Sequence, residues 1–111
     1  SGRRVVPRRR NLSLLSAFMA RHADLFAWVR PTAGAIAFLR FKGPLTSQAL
    51  GAALAEAGIG LKPAYCFTDV VTPETDYFRV GYGEAAFPQA LAALEAYVER
   101  HRHAWLEGRS R

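Results

Sequence analysis

Apolar positions recur along this chain with two periods. Leu15, Phe18, His22 and Leu25 follow one another at spacings of three and four, and Met19 and Phe26 widen the stripe. That spacing predicts an amphipathic helix over 11–26, with Asn11 or Ser13 as its N-cap. Residues 27–30 read as a short strand stopped by Pro31, and Thr32, Ala33 and Gly34 as a turn. Residues 35–41 alternate, with Ile36, Phe38 and Arg40 on one face and Ala37, Leu39 and Phe41 on the other, which predicts a strand ended by Lys42-Gly43-Pro44. A second helix, capped by Thr46 or Ser47 and rich in Ala and Leu, is expected to run to about residue 57. Leu50 and Leu54 form its buried stripe, and Gly58 fits the residue just past its end.

Beyond Gly58 the pattern weakens. Residues 59–61 are a short strand candidate, 63–67 are irregular, and 68–76 are a polar loop. Residues 77–82 (YFRVGY) form another strand, with Phe78 and Val80 on one face and Tyr77, Arg79 and Gly81 on the other. Pro88 suits the first turn of a last helix. Phe87, Leu91, Leu94 and Val98 are its apolar face, and it is expected to reach about Leu106, with Gly108 as a stop. Helices thus lie between strands too few for a doubly wound sheet. The expected architecture is α+β, a two-layer sandwich of a small sheet with helices on one face.

Composition fits that picture. At 111 residues, half of them hydrophobic and 22% charged, the chain is one globular domain with enough length to bury a core. No apolar run approaches a membrane span. A single cysteine leaves no intramolecular disulfide and no cysteine-based zinc site. The net charge of +6 invites a nucleic-acid reading, but its distribution argues otherwise. Five arginines crowd residues 1–10, and Arg100, Arg102, Arg109 and Arg111 stand near the other end against Glu107 alone. The stretch between carries four arginines and two lysines against eight acids. The expected organisation is a basic N-terminal segment over 1–10, the domain over 11–107 and a basic tail over 108–111. No aromatic residue is interleaved among the N-terminal arginines, so nucleic acid is not the expected partner. No secretory leader is visible, and a cytoplasmic location is expected. The Arg-rich opening, with no initiator Met, reads as the middle of something larger.

Little in the chain builds a self-contained active site. His101 and His103 suit the C-terminal end of a helix and lack ligand-spaced carboxylates. Cys66 reads as a small buried residue. Gly81-x-Gly83 lacks the third glycine of a dinucleotide fingerprint and is followed by Glu84. The exception is Arg79, in mid-strand among aromatics and glycine. Its planar fork suits a carboxylate held by two parallel hydrogen bonds, or a surface ion pair with Asp76 or Glu84.

Five segments in order carry a resemblance. A helix is followed by Pro-x-x-Gly-x-x-x-Phe at 31–38, then Leu54-Ala55-Glu56-Ala57-Gly58-Ile59, Leu61-Lys62-Pro63-Ala64-x-x-Phe67, Phe78-Arg79-Val80-Gly81, and an Ala/Leu-rich last helix. From Asn11 to about Arg100 the chain resembles the C-terminal small domain of a class I/II (fold-type I) PLP-dependent aminotransferase. The resemblance implies a mostly antiparallel sheet of three strands. It also implies that Arg79 grips the substrate α-carboxylate, and that Thr32, Ala33, Gly34, Lys62, Tyr65 and Phe67 face the substrate cleft. Ala64 stands where many members of that family carry glycine.

The resemblance further implies PLP as cofactor of the whole enzyme, an amino acid or 2-oxo acid as ligand, and a large PLP-binding domain as partner. The Schiff-base lysine belongs to that large domain; Lys42 and Lys62, the only lysines here, stand in no such context. The 111 residues are therefore expected to be inactive alone and to self-associate through a former domain interface. The alternative is a non-catalytic module that binds a ligand or partner, and a weaker one is nucleic-acid binding by the tails.

Overall fold

The structure, a computed structural model, describes residues 7–31 and 34–109. Its elements in chain order are α1 (Pro7–Arg21), β1 (Phe26–Pro31), β2 (Ile36–Phe41), α2 (Ser47–Glu56), a single 3-10 turn (Ala64–Cys66), β3 (Phe78–Gly81) and α3 (Phe87–Arg109). The three strands form one antiparallel sheet in the order β1-β2-β3. The α+β fold expected from the sequence is the one observed.

The β2–β3 register sets the two faces of the sheet. Ala37 pairs with Val80, Leu39 with Phe78, and Phe38 with Arg79. Side chains alternate across a strand, so the first two pairs share one face and the third lies on the other. Ala37, Leu39, Phe41, Phe78 and Val80 are buried in one cluster with Leu15 and Phe18 of α1, Leu50 and Leu54 of α2, and Leu91, Leu94 and Val98 of α3. The opposite face carries an aromatic triad. Phe38, Phe67 and Tyr77 lie with ring centroids 5.3–5.6 Å apart, so the connection between α2 and β3 folds back across this face.

Several boundaries differ from the sequence pattern. α1 begins at Pro7, because proline suits a first helical turn and Arg8, Arg9 and Arg10 are good helix formers. The helix therefore takes in residues expected to belong to a basic N-terminal segment. Asn11 is inside the helix rather than its cap. Its fully buried amide donates to the carbonyls of Tyr82 (2.9 Å) and Glu84 (2.7 Å), a long-range bond that overrides its local capping preference. The helix stops at Arg21 rather than 26, since Phe26 is drawn into the sheet opposite Phe41.

Residues 59–61 form no strand. The segment meets the sheet in one isolated bridge, Lys62 to Arg79, after a left-handed Gly58 (φ 83°) turns the chain out of α2. Gly58 tolerates that φ because it has no Cβ. Gly108 does not stop α3, which continues to Arg109. At α2, Thr46 Oγ1 accepts from the Ala49 amide at 3.1 Å, and Asp76 accepts from the Ser47 amide at 3.0 Å. The Ser47 hydroxyl in turn accepts from the Ala64 amide at 3.0 Å, which ties the 3-10 turn to the helix. Among the described residues no helix is long and apolar enough to cross a membrane.

Candidate functional site

Arg79 sits on β3, at the edge of the sheet away from β1. Its backbone faces outward, and its amide donates to the Lys62 carbonyl at 2.9 Å. The ladder ends there. The neighbouring inward-facing amide, Tyr82 N–H, bonds to Ala35 across the sheet at 2.8 Å, so by strand alternation the Gly81 backbone faces the same open edge as Arg79. Between this edge, segment 58–62 and the first turns of α3 lies a cavity of about 390 Å³.

Arg79 is half-buried and lines that cavity at the sheet edge, while the register sends its side chain to the Phe38 face, opposite Val80 and the core. Its guanidinium makes no hydrogen bond or ion pair with any described residue. The ion-pair alternative is therefore not realised: Asp76 is turned to the start of α2, and Glu84 lines the cavity without closing on Arg79. A half-buried guanidinium presents five N–H donors in a fixed fork, and here the fork is open.

The other residues singled out from the sequence divide. Lys62 is joined to Arg79 through its backbone, with its side chain exposed on the cavity rim. Phe67 stacks on Tyr77 and meets Phe38, which is Arg79's cross-strand partner, so it belongs to the same sheet face. Gly34 (φ 78°) is exposed, and its carbonyl accepts from the Tyr82 hydroxyl at 3.0 Å, which fixes it to the end of β3. Tyr65 lines a different cavity, with Arg40, Ser47 and Asp76 at the start of α2, and is 58% exposed. Thr32 and Ala33 lie outside the described residues. Cys66, expected to be buried, is exposed.

A second polar cluster was not anticipated from the sequence. His22, 3% exposed in the turn after α1, lies between Glu95 and Arg102 of α3. Arg102 Nη2 is 3.2 Å from His22 Nδ1, and a guanidinium can only donate. Nδ1 therefore accepts, and Nε2 carries the proton and donates to Glu95 Oε2 at 2.8 Å. Glu95 also takes two bonds from Arg21, at 2.6 and 2.8 Å, and Arg102 gives two to Asp24, at 2.8 and 2.9 Å. The Arg21 bonds, and next the His22 bond, hold the Glu95 carboxyl down to about 2; hydrogen bonds from Arg102 lower that of Asp24. Arg102 is thus a tether between α3 and the turn after α1, not a solvated charge of a basic end. The signal lay in the spacing of Glu95 and Arg102, seven residues and two helical turns apart on one side of α3.

His22, Glu95 and Glu99 bring ligand atoms within 4.8 Å of one another, yet the tautomer opposes a metal ion. A metal on Nε2 would put the histidine proton on Nδ1, against the Arg102 donor, and Glu95 is already held by Arg21. The cluster is a structural tie, whereas the Arg79 guanidinium has no partner among the described residues. A scan against protein-family models finds no match to this chain, and a search of the curated proteins finds none.

Proposed function

We propose that this chain is the small, carboxylate-binding domain of a PLP-dependent aminotransferase, in which Arg79 holds the carboxylate of an amino acid or 2-oxo acid. The observation that carries the reading is half-buried Arg79, on the Phe38 face of the sheet, whose guanidinium has no partner among the described residues. The order of segments and the three-stranded antiparallel sheet support it.

The residues described do not themselves make a PLP site. Lys42 is exposed just past β2, and Lys62 is exposed beside Pro63, with its backbone committed to β3. The amino-transfer chemistry is therefore assigned to a large domain outside this chain. What these residues contribute is a fixed cation that orients the substrate. In a water-excluded site a two-bond arginine–carboxylate pair gives direction as well as affinity.

A second reading is favoured by a specific observation: the cavity at the open edge of β3 is walled by this chain's own residues. In that reading the domain binds a carboxylate without catalysis. One experiment separates the two. The 111 residues are assayed for amino transfer with added PLP, and so is the full product of the reading frame around them. Activity confined to a longer product carrying a PLP lysine supports the aminotransferase. Carboxylate binding with no such longer product supports the module. In either case Arg79→Gln weakens carboxylate binding, by about 10- to 100-fold for the loss of a charge-assisted pair. Turnover by the 111 residues alone would overturn the division of labour proposed here.

A further inference from the structure

The face that carries the Arg79 side chain is the aromatic face of the sheet. Phe38 lies directly across from Arg79 on β2. Tyr82 N–H bonds to Ala35, so by alternation Arg79 and Phe38 form a non-hydrogen-bonded pair, the kind whose side chains stand closest. The Tyr77 ring meets that of Phe38 edge-on at 5.3 Å, and Phe67 stacks on Tyr77 and meets Phe38 at 5.6 Å. All three residues are half-buried, not closed off in the core. On the other side of Arg79 along the strand stands Gly81. A Cβ there would meet nothing closer than the Ala35 carbonyl oxygen at 3.9 Å, and the backbone is not left-handed, so neither packing nor conformation requires glycine. The bare backbone leaves space beside Arg79 on this face. Arg40, also on this face, gives Nη2 to the Glu74 carbonyl, whereas the Arg79 guanidinium has no partner among the described residues.

We infer that the acid held by Arg79 carries an aromatic ring, as an aromatic amino acid or its 2-oxo acid does, and that this ring packs on the Phe38–Phe67–Tyr77 group. The inference rests on Arg79 as carboxylate anchor and adds the identity of the tail. A fourth ring extends a set already arranged edge-to-face and stacked, the two geometries that the ring quadrupole favours. It also removes half-buried ring surface from water, which is favourable in proportion to the area buried. A saturated tail of the same size gains the second contribution and not the first.

The test is titration of the intact chain with three 2-oxo acids, followed by calorimetry and by NMR shifts: phenylpyruvate, its saturated-ring analogue 3-cyclohexyl-2-oxopropanoate, and pyruvate. Phenylpyruvate is expected to bind at least about tenfold tighter than pyruvate, for the burial of its tail. It is expected to bind about two- to tenfold tighter than the cyclohexyl acid, the size of a ring–ring preference beyond area. Its shifts should fall on the rings of Phe38, Phe67 and Tyr77 and on the Gly81 amide. Phe67→Leu is expected to erase the preference for phenyl over cyclohexyl, and the ratio in the parent chain decides independently of that variant. Cyclohexyl binding as tight as phenyl, or pyruvate binding as tight as phenylpyruvate, with binding lost in Arg79→Gln, would overturn the aromatic tail and leave the anchor standing. Binding indifferent to Arg79→Gln, or no binding of any of the acids, would overturn the anchor and the tail together.

Discussion

Arg79 and Arg102 are the same residue type held in opposite ways. Arg102 gives two bonds to Asp24 and one to His22, and its position on α3 ties that helix to the turn after α1. Arg79 is half-buried on an edge strand with its fork unfilled. Burying a cation without a partner costs free energy unless something else satisfies it, so a domain that pairs one arginine fully and leaves another open separates structure from binding. The difference teaches where change will be felt: around Arg102 in stability, around Arg79 in ligand affinity.

The largest expected effect breaks both regions at once. Phe78 is fully buried between Tyr77 and Arg79 in β3, opposite Leu39. Phe78→Ala removes a ring from the centre of the core and is expected to cost about 3–5 kcal/mol. Chemical denaturation measures it. A loss below about 1 kcal/mol would mean that β3 is not packed as described and that Arg79 is not held by the core.

A smaller effect belongs to the paired cluster alone. Glu95→Leu leaves the buried Nε2–H of His22 without its acceptor and frees Arg21. An unsatisfied buried donor costs about 1–3 kcal/mol, so stability should fall by that amount while carboxylate binding at Arg79 is unchanged. Acid titration probes the same bonds. The Glu95 carboxyl is held at about 2 in the fold, against an ordinary 4.5, so its contribution is present above about 4.5 and is lost as pH falls toward 2. Asp24, lowered by Arg102, acts in the same direction. The midpoint of denaturation should therefore drop through this window in the parent protein, and less steeply in Glu95→Leu.

The residues explain why the two regions were unequally legible in the sequence. Arg79 stands out locally, as a cation in mid-strand between aromatics, and the period-2 pattern that places it also places Phe78 and Val80 in the core. The His22 cluster joins residues more than seventy positions apart, and the spacing of Glu95 and Arg102 on α3 does not say which distant side chain they meet. His22 did read as part of the apolar stripe of α1, and it is indeed buried. What was hidden is that its polar edge needs Glu95 and Arg102. Asn11 was misplaced for the same reason: its capping preference is local, whereas its bonds to Tyr82 and Glu84 are not. The 59–61 strand failed because the sheet edge is reached only by the next residue, Lys62, which leaves a cavity at the edge of β3.

The smallest expected effect is the sharpest test of the contrast. Arg79→Gln keeps the length and much of the packing of the side chain and breaks no hydrogen bond or ion pair to a described residue. Stability should therefore change by no more than about 0.5 kcal/mol, as for substitutions away from paired or core positions. A ligand-binding arginine thus shows itself by an asymmetry: little or no loss of stability in the free protein, and a large loss of the stabilisation that added carboxylate confers. Thermal melts with and without phenylpyruvate measure both halves. If Arg79→Gln instead destabilises the free domain as much as Glu95→Leu does, then Arg79 is held by a structural partner, and the two arginines are not opposites.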